Sequence, residues 1–302
     1  MQIKISQIKN IVRALRMPFL SASLLPFIFG SLIERHSFNV KGFILGLCAA
    51  IATHLSANLI NDYADSKSGA DWQDQRFYGL FGGSKLIQEK VFSEGFYLRL
   101  AMSFALLSAI SVVLLALVLK TLSVVGFYLV IIFLSWSYSF GPLRFSYRRL
   151  GEVFIFLLFG PCLVMGGYFI QTRIFPDAKS FILSLPLGLL TTAILFSNEV
   201  PDFEDDRKAG KQTWVSLSGT HQAYKLYFLL VFLAFGAIAA SVLLGFIKTI
   251  ALLSFIFLIP AFKAMKTLKM FHAQKDKLLE SSRLTIVLQA MVGIVLIGSV
   301  LL

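Results

Sequence analysis

Runs of about 20 apolar residues recur along this chain, centred on 18–33, 42–60, 96–119, 122–139, 153–170, 180–197, 223–246, 249–265 and 284–302. A helix of that length crosses the hydrocarbon core of a bilayer, roughly 30 Å at 1.5 Å per residue. Inside lipid every backbone N–H and C=O must find its partner within the segment. Nine such runs therefore predict an all-α membrane protein, a bundle of nine transmembrane helices. Pro26, Pro161, Pro186 and Pro260 fall within the runs, a placement membrane helices tolerate because neighbours re-satisfy the freed backbone groups. The runs and their short connections take up residues 1–302, which read as a single polytopic domain. Composition agrees, at 57% hydrophobic and 15% charged residues with a mean hydropathy of +0.78.

A net charge of +12 would suit nucleic acid if it were gathered on one surface. Here it is spread over short loops between apolar runs, so no nucleic-acid partner is expected. A juxtamembrane charge bias accounts for it better. With nine crossings, only six of the 28 Lys and Arg residues fall on one side: Arg35, Lys41, Lys120, Arg173, Lys179 and Lys248. The other 22 share the side of the N-terminus, which the positive-inside rule makes cytoplasmic. The expected location is the inner (cytoplasmic) membrane, multi-pass.

The sixteen acidic residues are distributed very differently, with nine of them in 62–74 and 199–206. Asn198, Asp202 and Asp206 stand at i, i+4 and i+8 at the end of the sixth apolar run. A continuing helix would line them along one face. At the end of the second run, Asn61 and Asp65 repeat the spacing, and Asp71 follows after Gly69. Both stretches end even-numbered runs, so they should emerge at the same membrane face. Their separation, with four helices between, fits an internal pseudo-repeat whose halves face one central cavity. The loops carrying Lys85 and the pair Arg144 and Arg148 open on that face too, and Lys211 lies just beyond the second stretch.

Carboxylates beside cations suit a phosphorylated ligand carrying a divalent ion. Mg2+ commonly binds through one or two carboxylates plus substrate phosphates. Asp65, Asp71, Asp202 and Asp206 are the candidate metal-diphosphate carboxylates, and Asn61 and Asn198 are placed to orient them. Lys85, Arg144, Arg148 and Lys211 are the candidate diphosphate cations. Asp62, Asp74, Glu204 and Asp205 read as solvated or supporting residues. The rival class, a divalent-cation transporter, would place ionisable groups near the bilayer midplane. The second and sixth runs carry no Asp, Glu, Lys or Arg until their ends.

The segment Asn58-Leu-Ile-Asn61-Asp-Tyr-Ala-Asp65-Ser-Lys-Ser-Gly-Ala-Asp71 resembles the first aspartate-rich motif of the UbiA superfamily of intramembrane aromatic prenyltransferases. Asp202-x-x-x-Asp206-Arg-Lys-Ala-Gly-Lys-Gln-Thr213 resembles its second. The six-residue step from Asp65 to Asp71 is similar to the 1,4-dihydroxy-2-naphthoate polyprenyltransferase branch, as is Tyr138 to Glu152, with the Phe-Gly-Pro near residue 160 ahead of Tyr168. Glu199, Pro201 and the form of the 81–88 segment depart from that branch. The resemblance implies Mg2+-dependent transfer of a polyprenyl group from a polyprenyl diphosphate to an aromatic acceptor. It favours 1,4-dihydroxy-2-naphthoate in menaquinone biosynthesis, with another quinone precursor or a lipid acceptor as the alternative. On this reading Asp65, Asp71, Asp202 and Asp206 are catalytic and Tyr138 and Tyr168 touch the acceptor. Either Arg144 or Arg148 would meet an acceptor carboxylate.

Overall fold

A computed structural model describes residues 2–34 and 38–302, with side chains from residue 7 onward. Arg35 lies outside the described residues. The chain's regular elements among the described residues are all helices: α1 Gln2–Ala14, α2 Ser21–Leu32, α3 Val40–Ser68, α4 Glu94–Leu119, α5 Ser123–Ser137, α6 Gly151–Leu157, α7 Leu163–Thr172, α8 Ala178–Lys208, the short α9 Val215–Ser218, α10 Ala223–Leu243, α11 Leu258–Phe271 and α12 Lys275–Leu301. A π-type turn at Leu158–Cys162, containing Pro161, joins α6 to α7. A proline inside a helix removes one N–H and forces such a local rearrangement.

Seven helical stretches are long and apolar enough to cross a membrane, with α6–α7 counted as one and α11 extended back to Thr249. The end of α1 and the Met17–Leu32 stretch form an eighth, bent by 44° near Arg16. The expected nine is not reached by this measure, because α5 has 15 residues. At 1.5 Å per residue it rises about 22 Å, short of the hydrocarbon thickness. The sequence run at 122–139 looked longer because it includes Tyr138 and Ser139, which turn out of the helix.

α8 is the central element. It packs on α10, α12 and α6, and Leu183, Leu187, Leu190 and Phe196 are buried in the main core with Tyr227 and Leu288. Small residues let the other helices approach closely. A Cβ on Gly160 would lie 2.8 Å from the Gly188 Cα, and one on Gly30 would lie 2.0 Å from the Val164 carbonyl oxygen. Such contacts substitute for a hydrophobic driving force where lipid is the solvent. The outward side chains, among them Leu117, Leu129, Phe232 and Ile259, are exposed and apolar, as a lipid-facing belt requires.

Candidate active site

The two acidic stretches meet at one end of the bundle. α8 runs unbroken past Pro186 and Pro201 to Lys208, so Asn198, Asp202 and Asp206 do share one face. α3 behaves differently after Asp65. It ends at Ser68, and Gly69 takes a left-handed conformation at φ 87° that reverses the chain into the turn Ala70–Trp72. Glycine adopts that conformation without a Cβ clash. Asp71 therefore returns from a turn and does not continue the helix face.

The 81–88 loop bridges the two helices. Gly82 N–H donates to Asp202 Oδ2 at 2.8 Å. Lys85 Nζ, itself buried, donates to the Asp71 carbonyl at 2.9 Å and its carboxylate at 3.0 Å. Gly82 and Gly83 have φ of 74° and 78°, and a Cβ on Gly83 would fall 2.7 Å from both Asp71 carboxylate oxygens. This close approach accounts for the glycine at position 83.

A third side comes from the loop after α5 and the segment after α8. Tyr147 O–H donates to Asp65 Oδ1 at 2.9 Å. The Arg144 guanidinium lies 4.8 Å from the Tyr147 ring centre, and Lys211 Nζ lies 6.0 Å from it. Lys211 also pairs with Asp206 Oδ1 at 3.3 Å. Asn61 Nδ2 donates to Asp65 Oδ2 at 3.3 Å and to Ser139 Oγ at 2.5 Å.

Burial pushes the Asp71 carboxyl up to about 7, against the opposing pull of Lys85. Burial alone would lower Lys211, but Asp206 and Asp65 outweigh it and hold the ammonium well above its usual value. The cluster thus keeps Lys211 charged next to carboxylates that are costly to bury unpaired.

Beneath this cluster lies a cavity of about 590 Å3. Asn61, Asn198, Tyr138 and Arg16 line its polar end, and Phe27, Phe159 and Met165 belong to its apolar wall. The exposed α5 side chains Phe127 and Val130 also line it. His54 hydrogen-bonds Ser23 within the wall and meets Phe159 edge-on at 5.3 Å.

Two expected contacts are absent. Tyr168 belongs to the main core and not to the cavity wall; its hydroxyl lies toward Asp177 and Glu34, at the opposite end of the bundle. It stands on α7, a helix the sequence could not orient. Arg148 is exposed and donates to the Pro142 carbonyl at 3.2 Å, so of the two loop arginines only Arg144 turns inward.

The sequence reading also missed three groups. Arg16, at the bend before α2, pairs with Asp62 and lines the cavity. Tyr147 reaches Asp65. Lys275 bridges Asp74 at 3.3 Å and Asp205 at 2.5 Å. Arg16 and Lys275 lie 46 and 70 residues from their partners, beyond any local spacing signal.

Metal fit follows from the donor set. Asp202 Oδ1 and Asn198 Oδ1 are buried without a hydrogen-bond partner, which leaves acceptors for a ligand. Among the described residues no three His, Cys, Asp or Glu groups converge on one metal position. Such a set suits a hard cation that takes one or two carboxylates and fills its shell with phosphate oxygens and water.

These features define a polytopic helical membrane protein whose acidic and basic side chains gather at the head of an apolar cavity. A model of the UbiA prenyltransferase family matches residues 23–285, and the chain belongs to that family. It is 35% identical over 232 residues to the UbiA prenyltransferase domain-containing protein 1 of Mus musculus, covering 74% of this chain and 66% of the relative. The Drosophila melanogaster homolog is 32% identical over 75% of this chain and 62% of the relative. The 1,4-dihydroxy-2-naphthoate octaprenyltransferase of Bacillus subtilis (strain 168) is 29% identical over 68% of this chain and 65% of the relative. The chain thus spans just under two thirds of the length of these curated relatives. Two solved structures share the fold. One is the apo UbiA homolog from Aeropyrum pernix K1, with TM-score 0.72 and 15% identity over 95% of this chain and 97% of that one. The other is the UbiA homolog from Archaeoglobus fulgidus bound to GPP and Mg2+, with TM-score 0.62 and 15% identity over 96% and 99%.

Proposed function

We propose that residues 1–302 act as one polytopic transferase domain that moves a polyprenyl group from a polyprenyl diphosphate to an aromatic acceptor with Mg2+. The observation that carries this reading is the joining of two acid-tipped helices by a lysine-bearing loop directly above an apolar cavity. Asp65, Asp71, Asp202 and Asp206 hold the metal-diphosphate, with Asn61 and Asn198 orienting the carboxylates beside them. Bound there, Mg2+ supplies Lewis-acid neutralisation of charge on the diphosphate oxygens. Lys85, Arg144 and Lys211 add fixed positive charge where the leaving group develops its negative charge, which favours breaking of the allylic C–O bond. The Tyr138 face, on the cavity wall, is placed to stabilise the resulting allyl cation and to meet the acceptor. Burial of the apolar wall keeps water from that cation, and Phe127 and Val130 on α5 offer the tail a path toward lipid.

For the acceptor we propose 1,4-dihydroxy-2-naphthoate. Support comes from the turn that returns Asp71 after Gly69 and from the likeness to the Bacillus subtilis octaprenyltransferase. Arg16 is the cation on the cavity wall suited to an acceptor carboxylate, a place Arg148 does not reach. We further propose nine crossings, with α5 as the short one and the site facing the cytoplasm. The matching Asn and Asp pairs at the ends of α3 and α8 support the internal pseudo-repeat. Purified protein given Mg2+, one labelled polyprenyl diphosphate and candidate acceptors tests the reading. Turnover of 4-hydroxybenzoate and none of the naphthoate would replace the acceptor, and no transfer to any aromatic ring would remove the reaction class.

A further inference from the structure

Two carboxyl groups that the proposed reaction does not use lie against the segment that runs from Lys211 to Trp214. Glu152 is on the first turn of α6 and Glu199 is on α8 beside Asn198, yet neither lines the cavity. They are 1% and 5% exposed. Their side chains face one another, and the Oε2 atom of each finds no donor among the described residues. Ionised carboxylates only accept hydrogen bonds, so two buried ones set face to face leave both oxygens unsatisfied. One proton between them turns one group into the donor the other needs.

The remaining oxygen of Glu152 accepts the backbone N–H of Trp214. Two more hydrogen bonds join the same segments. Arg149 N–H donates to the Gln212 carbonyl at 2.8 Å, and Trp214 Nε1 donates to the Arg149 carbonyl at 3.2 Å. The segment stitched down in this way begins at Lys211, whose own N–H donates to the Asp206 carbonyl at 2.8 Å. The other ionisable groups around the acid pair are Lys211, Asp206 and Tyr138.

We propose that Glu152 and Glu199 share one proton and act as a positioning pair for Lys211. Glu199 holds Glu152, Glu152 holds the Trp214 N–H, and the segment they fix presents the Lys211 ammonium to the diphosphate. This rests on the reading above that Lys211 contacts the diphosphate. Neither glutamate touches substrate, so both are positioning residues.

The test measures binding of magnesium pyrophosphate by calorimetry, with transfer kinetics on the same preparations. The proteins compared are wild type, Glu199→Ala, Glu199→Gln, Lys211→Ala and the Glu199→Ala/Lys211→Ala double variant. Glu199→Ala should weaken binding about tenfold, with no further loss when Lys211 is already alanine, because coupled residues do not add. Glu199→Gln supplies an amide N–H in place of the shared proton and should recover binding to within about threefold of wild type. In kinetics the loss should appear in kcat/KM for the prenyl diphosphate and be recovered by Glu199→Gln, since Lys211 both binds the diphosphate and meets the charge it develops. A loss that repeats in full on the Lys211→Ala background, or glutamine no better than alanine, overturns the pair. If Glu199→Ala does not fold, the infrared difference spectrum of wild type and Glu152→Gln decides. A protonated-carboxyl band lost in the variant supports the shared proton, and no such difference overturns it. Wild-type protein that binds no pyrophosphate would instead strike down the diphosphate reading, and this inference with it.

Discussion

At the scale of single residues, the structure separates carboxylates that look alike in the sequence. Asp202 is half-buried, with its Oδ1 out of solvent and free for a ligand. Asp74 is bound to its own neighbours: burial works against its charge, but bonds from Arg76 and Tyr78 and the charge of Lys275 hold it well below the usual carboxylate range. Asp202→Asn should therefore lower kcat/KM by about a hundredfold, near 2.7 kcal/mol, as for other groups that stabilise developing charge. Asp74→Asn in matched membranes should stay within about threefold, the size of a partly exposed ion-pair change. Equal losses would refute the distinction. The same logic divides the cations. Lys211→Ala should raise KM for the prenyl diphosphate about tenfold or more, while Arg148→Ala should leave it within about twofold because the side chain faces out. Steady-state titration of the prenyl diphosphate in both variants checks this.

At the scale of elements, the site depends on where helices stop. α3 ends on a left-handed glycine and α8 does not end until Lys208, so one stretch curls back while the other stays straight. The 81–88 loop then has to thread between them, and it does so with backbone in place of side chains. Gly83→Ala puts a methyl group 2.7 Å from the Asp71 carboxylate on a residue with φ of 78°. The left-handed strain alone costs about 1 kcal/mol or more, and the displaced carboxylate adds a functional loss. We expect transfer activity to fall at least about tenfold while the protein still purifies as a folded species, because the loop lies outside the main core. Thermal unfolding and transfer rate measured on the same sample test this. A large loss of stability with normal specific activity in the folded fraction would contradict it. Gly69→Ala, where no atom lies within 4 Å of the new methyl, should cost strain only.

At the scale of the whole molecule, the fold places a charged head at one face and an apolar cavity behind it. If the 22 basic residues mark the cytoplasmic side, the site opens there. In a variant lacking Cys48 and Cys162, a cysteine placed at the exposed Lys208 should be labelled from the cytoplasm. One placed at the exposed Lys248 should be labelled only from outside. Reversed labelling would invert the orientation without touching the site. On the proposed reaction, the exposed apolar side chains of the cavity wall, Phe127 and Val130, would make the bilayer part of the substrate path. Transfer should therefore tolerate prenyl tails longer than the cavity can enclose, and rates with a series of tail lengths in lipid vesicles check it.

Local chemistry was legible in the sequence because it is set by spacing. Apolar length dictates helices in lipid, i and i+4 spacing dictates a shared helix face, and Gly69 marks the turn that returns Asp71. The meeting of both acidic stretches at one end also follows from counting runs. The sequence alone did not determine which helix faces turn inward, since that depends on packing between segments far apart in the chain. Tyr168 was expected at the cavity and lies in the core, because α7 is oriented by close contacts such as Gly30 against Val164. Arg16, Lys275, and Glu152 with Glu199 find their partners only when helices separated by tens of residues are brought side by side. The length of the helix at 122–139 was likewise overread, because Tyr138 and Ser139 leave it to reach the cavity wall and Asn61. Hydrophobicity and periodicity act along the chain and can be read from it, whereas the pairing of buried polar groups is decided across it, by whichever neighbours the bundle supplies.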